Sequence, residues 1–141
     1  MSPTNYDFFM EIVDVRVTPL RLGLEQIKET EAYKHRPHPW GWNSCLVEVE
    51  TDEGLTGIGE ACAGGKMGDV TIGVKAFIEK GYRSVLLGED PTNYRHLWQK
   101  MHNYSWYTET GVGMSALSGV DMALVDLTGK ILGIPACKVL G

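Results

Sequence analysis

At 141 residues the chain is sized for one domain, with room for a second only as a fragment. Its 43% hydrophobic and 22% charged residues suit an ordinary apolar core that needs no disulfide staples. A formal net charge of −5 argues against non-specific binding to nucleic acid or acidic membranes, and no apolar run approaches the roughly 18 residues of a membrane span. Residues 1–7 show neither the basic start nor the apolar centre of a signal peptide. Cys45, Cys62 and Cys137 are odd in number and have no C-x-x-C spacing. The expectation is buried thiols in a reducing cytoplasm.

Residues 12–18 alternate, with Val13, Val15 and Val17 on one side and Asp14, Arg16 and Thr18 on the other. This predicts a half-buried strand. Residues 43–51 alternate again, Cys45, Val47 and Val49 opposing Ser44, Glu48 and Glu50. Asp52-Glu53-Gly54 then supplies turn residues, and residues 55–61 complete a hairpin. Gly57 and Gly59 in that last strand predict a neighbour packed close against the backbone. Between the first two strands lies an unusually long connection, residues 22–42, of the kind that is functional or mobile.

The second half has helical periodicity. Val70, Val74, Phe77, Ile78 and Tyr82 share one face, and Gly88-Glu-Asp-Pro91 ends the run. A second helix, capped by Thr92 or Asn93, carries Tyr94, Leu97, Trp98 and Met101. A third starts near Gly113 or Met114 and runs towards Lys130, with Leu117, Val120, Ala123, Leu124, Leu127 and Ile131 as its stripe. Met114, Ala116 and Met122 widen that stripe, so this helix needs cover on more than one side. Gly133-Ile-Pro135 ends it. Strands followed by helices make an α+β domain: a three-stranded antiparallel sheet and a helical bundle.

Four stretches, in this order, resemble the N-terminal capping domain of the enolase superfamily, in the branch of mandelate racemase and muconate-lactonising enzyme. They are Val47-Glu-Val-Glu-Thr-Asp-Glu-Gly-Leu-Thr-Gly-Ile-Gly-Glu-Ala61, Leu87-Gly-Glu-Asp-Pro91 with Leu97-Trp98, Ser118-Gly-Val-Asp-Met-Ala-Leu-Val-Asp-Leu-Thr-Gly-Lys130, and Leu132-Gly-Ile-Pro135 through Val139-Leu-Gly141. Val125 departs from the Trp usual in the family, and Val139-Leu-Gly141 lacks the usual second Leu and paired Gly.

The resemblance implies a capping domain over residues 1–135, with 136–141 beginning the connection to a (β/α) barrel absent from this chain. In the family the barrel binds Mg²⁺ and supplies the base that removes a proton α to a carboxylate, a mechanism taken from the family. The implied parent is a Mg²⁺-dependent acid-sugar dehydratase, and this chain alone should not catalyse. A racemase or cycloisomerase is the alternative within the family, and a non-catalytic binding or assembly module is the alternative outside it. The implied partners are the barrel and an acid-sugar carboxylate, in a cytoplasmic homo-oligomer.

By the same resemblance, residues 22–42 and 62–68 close over the barrel mouth. From Lys28 onward the first segment sets Lys28, Lys34 and Arg36 against Glu29 and Glu31, a mildly cationic lid suited to an acid sugar. The expected substrate-binding residues are His35, Arg36, His38, Trp40 and Lys66; the competing reading is solvated loop charge. His35 and His38 as a metal pair lack a third ligand. Trp42 anchors the loop to the sheet, and Glu60 accepts hydrogen bonds at its strand end. Asp121 and Asp126 lie about 140° apart around their helix and cannot form a dyad. Tyr104, Trp106 and Tyr107 are core or interface.

Overall fold

The computed structural model describes residues 10–35, 42–64, 69–104 and 106–141. Strands β1 (Ile12–Leu22), β2 (Trp42–Thr51) and β3 (Thr56–Cys62) form one antiparallel sheet in the order β1-β2-β3. Gly54, at φ 79°, makes the turn into β3, a left-handed conformation that glycine adopts without penalty. The inner face carries Val15 and Val17 against Val49 and Val47, all buried.

Strand β1 departs from simple alternation. Its register shifts between Ile12 and Asp14, which pair with Thr51 and Glu50, so Val13 is the extra residue of a bulge. The bulge turns Val13 outward to 45% exposure, and Ile12, at 1%, takes the core position expected for it.

Two single-turn helices, α1 (Leu24–Ile27) and α2 (Glu31–His35), follow β1; after β3, α3 (Thr71–Ala76) runs directly into a π-helical segment (Phe77–Tyr82) and then α4 (Arg83–Leu86). Val74, Ile78, Tyr82 and Leu86 are spaced by four and fully buried along it. Burial pushes the Tyr82 phenol up to about 12, and its hydroxyl donates to the Gly113 carbonyl at 3.2 Å. After Gly88 (φ 78°), a 3-10 turn (Pro91–Asn93) leads into α5 (Tyr94–Tyr104). The cap is Asp90, not Thr92 or Asn93. Its Oδ1 accepts from the Thr92 N–H at 2.8 Å and the Thr92 hydroxyl at 2.7 Å, while Pro91 presets the first turn.

A second 3-10 turn (Trp106–Thr108) precedes α6 (Gly111–Leu132), which begins two residues earlier than its apolar stripe predicts. Helix α6 ends at Gly133, φ 65°, where the Ile134 N–H closes back on the Gly129 carbonyl at 2.9 Å. One turn, α7 (Ala136–Val139), follows.

Helix α6 lies on the sheet at very short range. A Cβ on Gly57 would strike the Ala123 carbonyl, and one on Gly59 the Gly119 carbonyl. A Cβ on Gly119 would stand 2.7 Å from that of Ala61. The close neighbour expected of the β3 glycines is therefore the backbone of α6. Its broad apolar girth is covered within the domain: Ala116, Leu117, Val120, Ala123, Leu124 and Leu127 are buried between the sheet and the other helices. Met122 remains 46% exposed.

Candidate functional site

Antiparallel pairing brings three strand ends to one edge of the sheet. Leu22 pairs with Trp42, and Ser44 pairs with Cys62, so the end of β1, the start of β2 and the end of β3 lie together. The two segments expected to form a lid both spring from this edge.

The edge is tied down by polar contacts. Arg21, near the end of β1, donates through Nη2 and Nε to the Thr71 hydroxyl at 2.9 and 3.2 Å, and its Nε lies 2.6 Å from Asp69 Oδ2. Thr71 in turn donates its hydroxyl and N–H to Asp69 Oδ1 at 2.6 and 2.9 Å. These two hydrogen bonds, more than the neighbouring Arg21, hold the Asp69 carboxyl below the usual carboxylate range. The buried Cys45 thiol donates to the Thr71 carbonyl at 3.6 Å, and burial pushes that thiol up. Ser44 donates to Glu60 Oε1 at 2.6 Å, which gives Glu60 the acceptor role expected at its strand end. The Ser115 hydroxyl of α6 donates to the Cys62 carbonyl.

The connection between β1 and β2 has more order than an irregular loop. Strand β1 continues to Leu22, and two single-turn helices follow, α1 (Leu24–Ile27) and α2 (Glu31–His35). Among its described side chains Ile27, 4% exposed, is buried. Lys28 pairs with Glu25 at 2.5 Å and Lys34 with Glu31 at 2.9 Å. The count from Lys28 omits Glu25; over residues 22–42 as a whole, the lysines and Arg36 are matched by Glu25, Glu29 and Glu31. The segment is neutral, and the cationic-lid expectation is corrected on that point.

His35 closes α2 at an exposed position. Arg36, His38, Trp40 and Lys66 lie outside the described residues. Trp42 opens β2 at 59% exposure, beside Leu22 at 44% and near Leu20 at 48%. This apolar group on the outward face was not anticipated, although the spacing of Leu20 and Leu22 carried the signal. The Arg21–Asp69–Thr71 set had no such signal, because about fifty residues separate its parts. The thiols divide: Cys45 is buried as expected, but Cys62 and Cys137 are exposed, one on the outward strand face and the other on the short α7.

Neither α6 carboxylate serves this edge as a catalytic pair. Asp126 Oδ2 accepts from the Ile58 N–H at 2.8 Å, satisfying a donor on the unpaired side of β3, and pairs with Lys130 at 2.8 Å. Burial pushes the Asp121 carboxyl up. Among the described residues, no group of three or more His, Cys, Asp or Glu side chains could hold a metal ion. The resemblance assigns the Mg²⁺ to the barrel and not to this chain. No described helix is long and apolar enough to cross a membrane. What the edge provides is a hydrogen-bonded rim at which both segments begin.

Residues 42–141 match the mandelate racemase / muconate lactonizing enzyme N-terminal domain. The chain belongs to this family. Among similar proteins of this family is the D-galactonate dehydratase of Variovorax paradoxus, 36% identical over 115 residues, covering 82% of this chain and 28% of that protein. The D-galactonate dehydratase of Xanthomonas campestris pv. campestris is 40% identical over 96 residues, covering 68% of this chain and 24% of that one. Of solved structures, the 2-chloromuconate cycloisomerase of Rhodococcus opacus superposes with a TM-score of 0.73 at 25% identity, over 94% of this chain and 32% of that chain. The muconate lactonizing enzyme of Pseudomonas fluorescens, at 23% identity and a TM-score of 0.72, matches 93% of this chain and 34% of its own, and shares the fold. The chain thus spans about a quarter of these dehydratases and a third of these structures.

Proposed function

We propose that this domain caps the active site of an acid-sugar dehydratase and sets its substrate preference, while a barrel domain supplies the base and the Mg²⁺ site. One observation carries the reading: both candidate lid segments leave the same edge of the sheet, from anchors locked to one another. Such a rim can hold two covers in register, exclude water and orient a bound carboxylate. Residues 1–135 form the cap in this reading, and 136–141 begin the link onward. The dehydratase choice is supported by the identity to D-galactonate dehydratases, 36% over 115 residues and 40% over 96. Arg36, His35, His38, Trp40 and Lys66 are the proposed substrate contacts, on donor and ring chemistry alone.

The experiment replaces the matching domain of the Variovorax dehydratase with residues 1–141 and measures Mg²⁺-dependent dehydration of D-galactonate. The chimera is expected to turn over, and 1–141 alone is not. Arg36→Ala in the chimera should lower kcat/KM about tenfold or more with little change in melting temperature. An unchanged kcat/KM would return Arg36 to the solvated surface. Turnover by 1–141 alone would overthrow the division of roles.

A further inference from the structure

Side chains fasten strand β1 to residues 69–86 at three points. Near its start, Asp14 Oδ1 receives Arg83 Nη2 at 3.1 Å. Midway, Lys75 Nζ donates to the Val17 carbonyl at 2.7 Å, and Glu79 Oε1 accepts from the Val17 N–H at 3.2 Å. The third is Arg21 on Asp69 and Thr71, and it alone of the three sits where the strand gives way to a connecting segment. Main-chain pairing already joins the ends of each segment. Leu22 pairs with Trp42 across the first, and the Val70 N–H donates to the Ala63 carbonyl at 3.0 Å across the second. One pair of roots also meets through main chain, since the Ala63 N–H donates to the Asn43 carbonyl at 3.4 Å. Between the other pair, the end of β1 and residues 69–71, the link among the described residues is the Arg21 side chain.

Exposure separates what this clamp does for stability from what it does for geometry. The Arg21 and Asp69 side chains are 52% and 34% exposed, so solvent screens their attraction and its loss costs the fold little. The geometry is specific all the same. Thr71 is a firm mooring, fully buried and with its carbonyl taking the Cys45 thiol. The guanidinium presents Nε and Nη2 to the Thr71 hydroxyl, and that hydroxyl donates to the carboxylate that Nε also reaches. A planar fork makes these contacts together; a lysine ammonium on its flexible stem does not hold them in one plane.

We infer that Arg21 is a positioning residue, which ties the root of one segment to the root of the other and thereby governs substrate affinity. The inference rests on the capping role proposed above. Arg21 itself touches no substrate in this scheme; it acts through where the segments start. A displacement of about 1 Å at a supporting residue can misplace a distant contact enough to lower a rate by roughly 10²-fold. Stability is little affected, because the fastenings at Asp14 and Val17 and the pairing with β2 keep the strand in place.

The test uses the Variovorax chimera carrying residues 1–141, with D-galactonate as substrate. Arg21→Ala should raise KM about tenfold, while kcat changes less than about threefold and the melting temperature by no more than about 2 °C. Arg21→Lys should recover part of the loss. Asp69→Ala should raise KM as well, and combined with Arg21→Ala should be no worse than the worse single variant, since the two act as one clamp. Asp14→Asn is the control: it weakens the same kind of bond at the far end of β1, and should lower the melting temperature with KM unchanged. An Arg21→Ala chimera with unchanged KM overturns the inference and leaves the capping role standing. So does one that does not fold, or whose melting temperature falls further than that of Asp14→Asn, because Arg21 then supports the fold. A folded wild-type chimera without turnover overturns the capping role itself, and the inference with it.

Discussion

Two aspartates respond to the fold in opposite directions. Burial acts to raise the Asp14 carboxyl, but hydrogen bonds from Arg83, Arg16 and the Val15 N–H together outweigh it, and the group sits below the usual range. Asp14 Oδ1 receives Arg83 Nη2 at 3.1 Å and Val15 N–H at 2.9 Å, which ties β1 to α4. A carboxylate depressed in the folded state stabilises it fully above its unfolded pKa of about 3.9, and loses that contribution as pH falls through the folded value. Asp14→Asn should therefore lower the melting temperature at pH 7 and flatten its decline below about pH 4. Asp121 is the reverse case, because burial alone raises it. Its carboxyl favours the folded state while protonated and opposes it once pH rises through the folded value. Asp121→Asn should raise the melting temperature at neutral pH, and thermal scans should show the gain shrinking towards pH 3.

At the level of elements, the critical contact is between β3 and α6. Gly59→Ala forces a methyl against the Gly119 carbonyl, where neither backbone can yield cheaply. It should cost roughly 1–3 kcal/mol in urea unfolding. The cap before α5 is smaller in scale: Asp90→Ala should cost about 0.5–2 kcal/mol, and Asn93→Ala much less. These elements also show what a sequence can disclose. Gly57 and Gly59 announced a close neighbour because glycine in a strand has few other uses. The stripes through Val74, Ile78 and Tyr82, and through Leu117, Val120 and Leu124, marked buried faces because period survives whatever covers it. Val13 misled, because a bulge moves one residue across the sheet without changing composition. The sequence does not single out Asp90, because Asp, Thr and Asn in Asp90-Pro-Thr-Asn93 can all cap and only the path of the chain selects among them. The π-helical segment left no mark, since Phe77–Tyr82 keeps an apolar spacing equally suited to an α-helix. The rim was least legible: Arg21, Asp69 and Thr71 meet only through the fold.

For the molecule as a whole, order is unevenly distributed. Val47, Val49, Gly57 and Gly59 lie under α6, whereas α1 and α2 keep one anchor among their described side chains, Ile27. Amide exchange should be slowest in β2 and α6 and faster by orders of magnitude in α1 and α2; comparable protection would show that the short helices are held as firmly as the sheet. The clamp of Arg21 on Asp69 and Thr71 has a further consequence for how such a protein can change. It ties the point where residues 22–42 begin to the point where residues 62–68 end, independently of what lies between them. Lengthening a flexible segment costs only about 0.6 kcal/mol for each doubling. In the proposed capping role, the stretches between the strand ends can therefore be exchanged in length and charge, provided that Ile27 and Ala63, both buried, are kept. If the domain caps an active site as proposed, a library confined to those stretches, with Ile27 and Ala63 retained, should change substrate preference while leaving the melting temperature close to that of the parent.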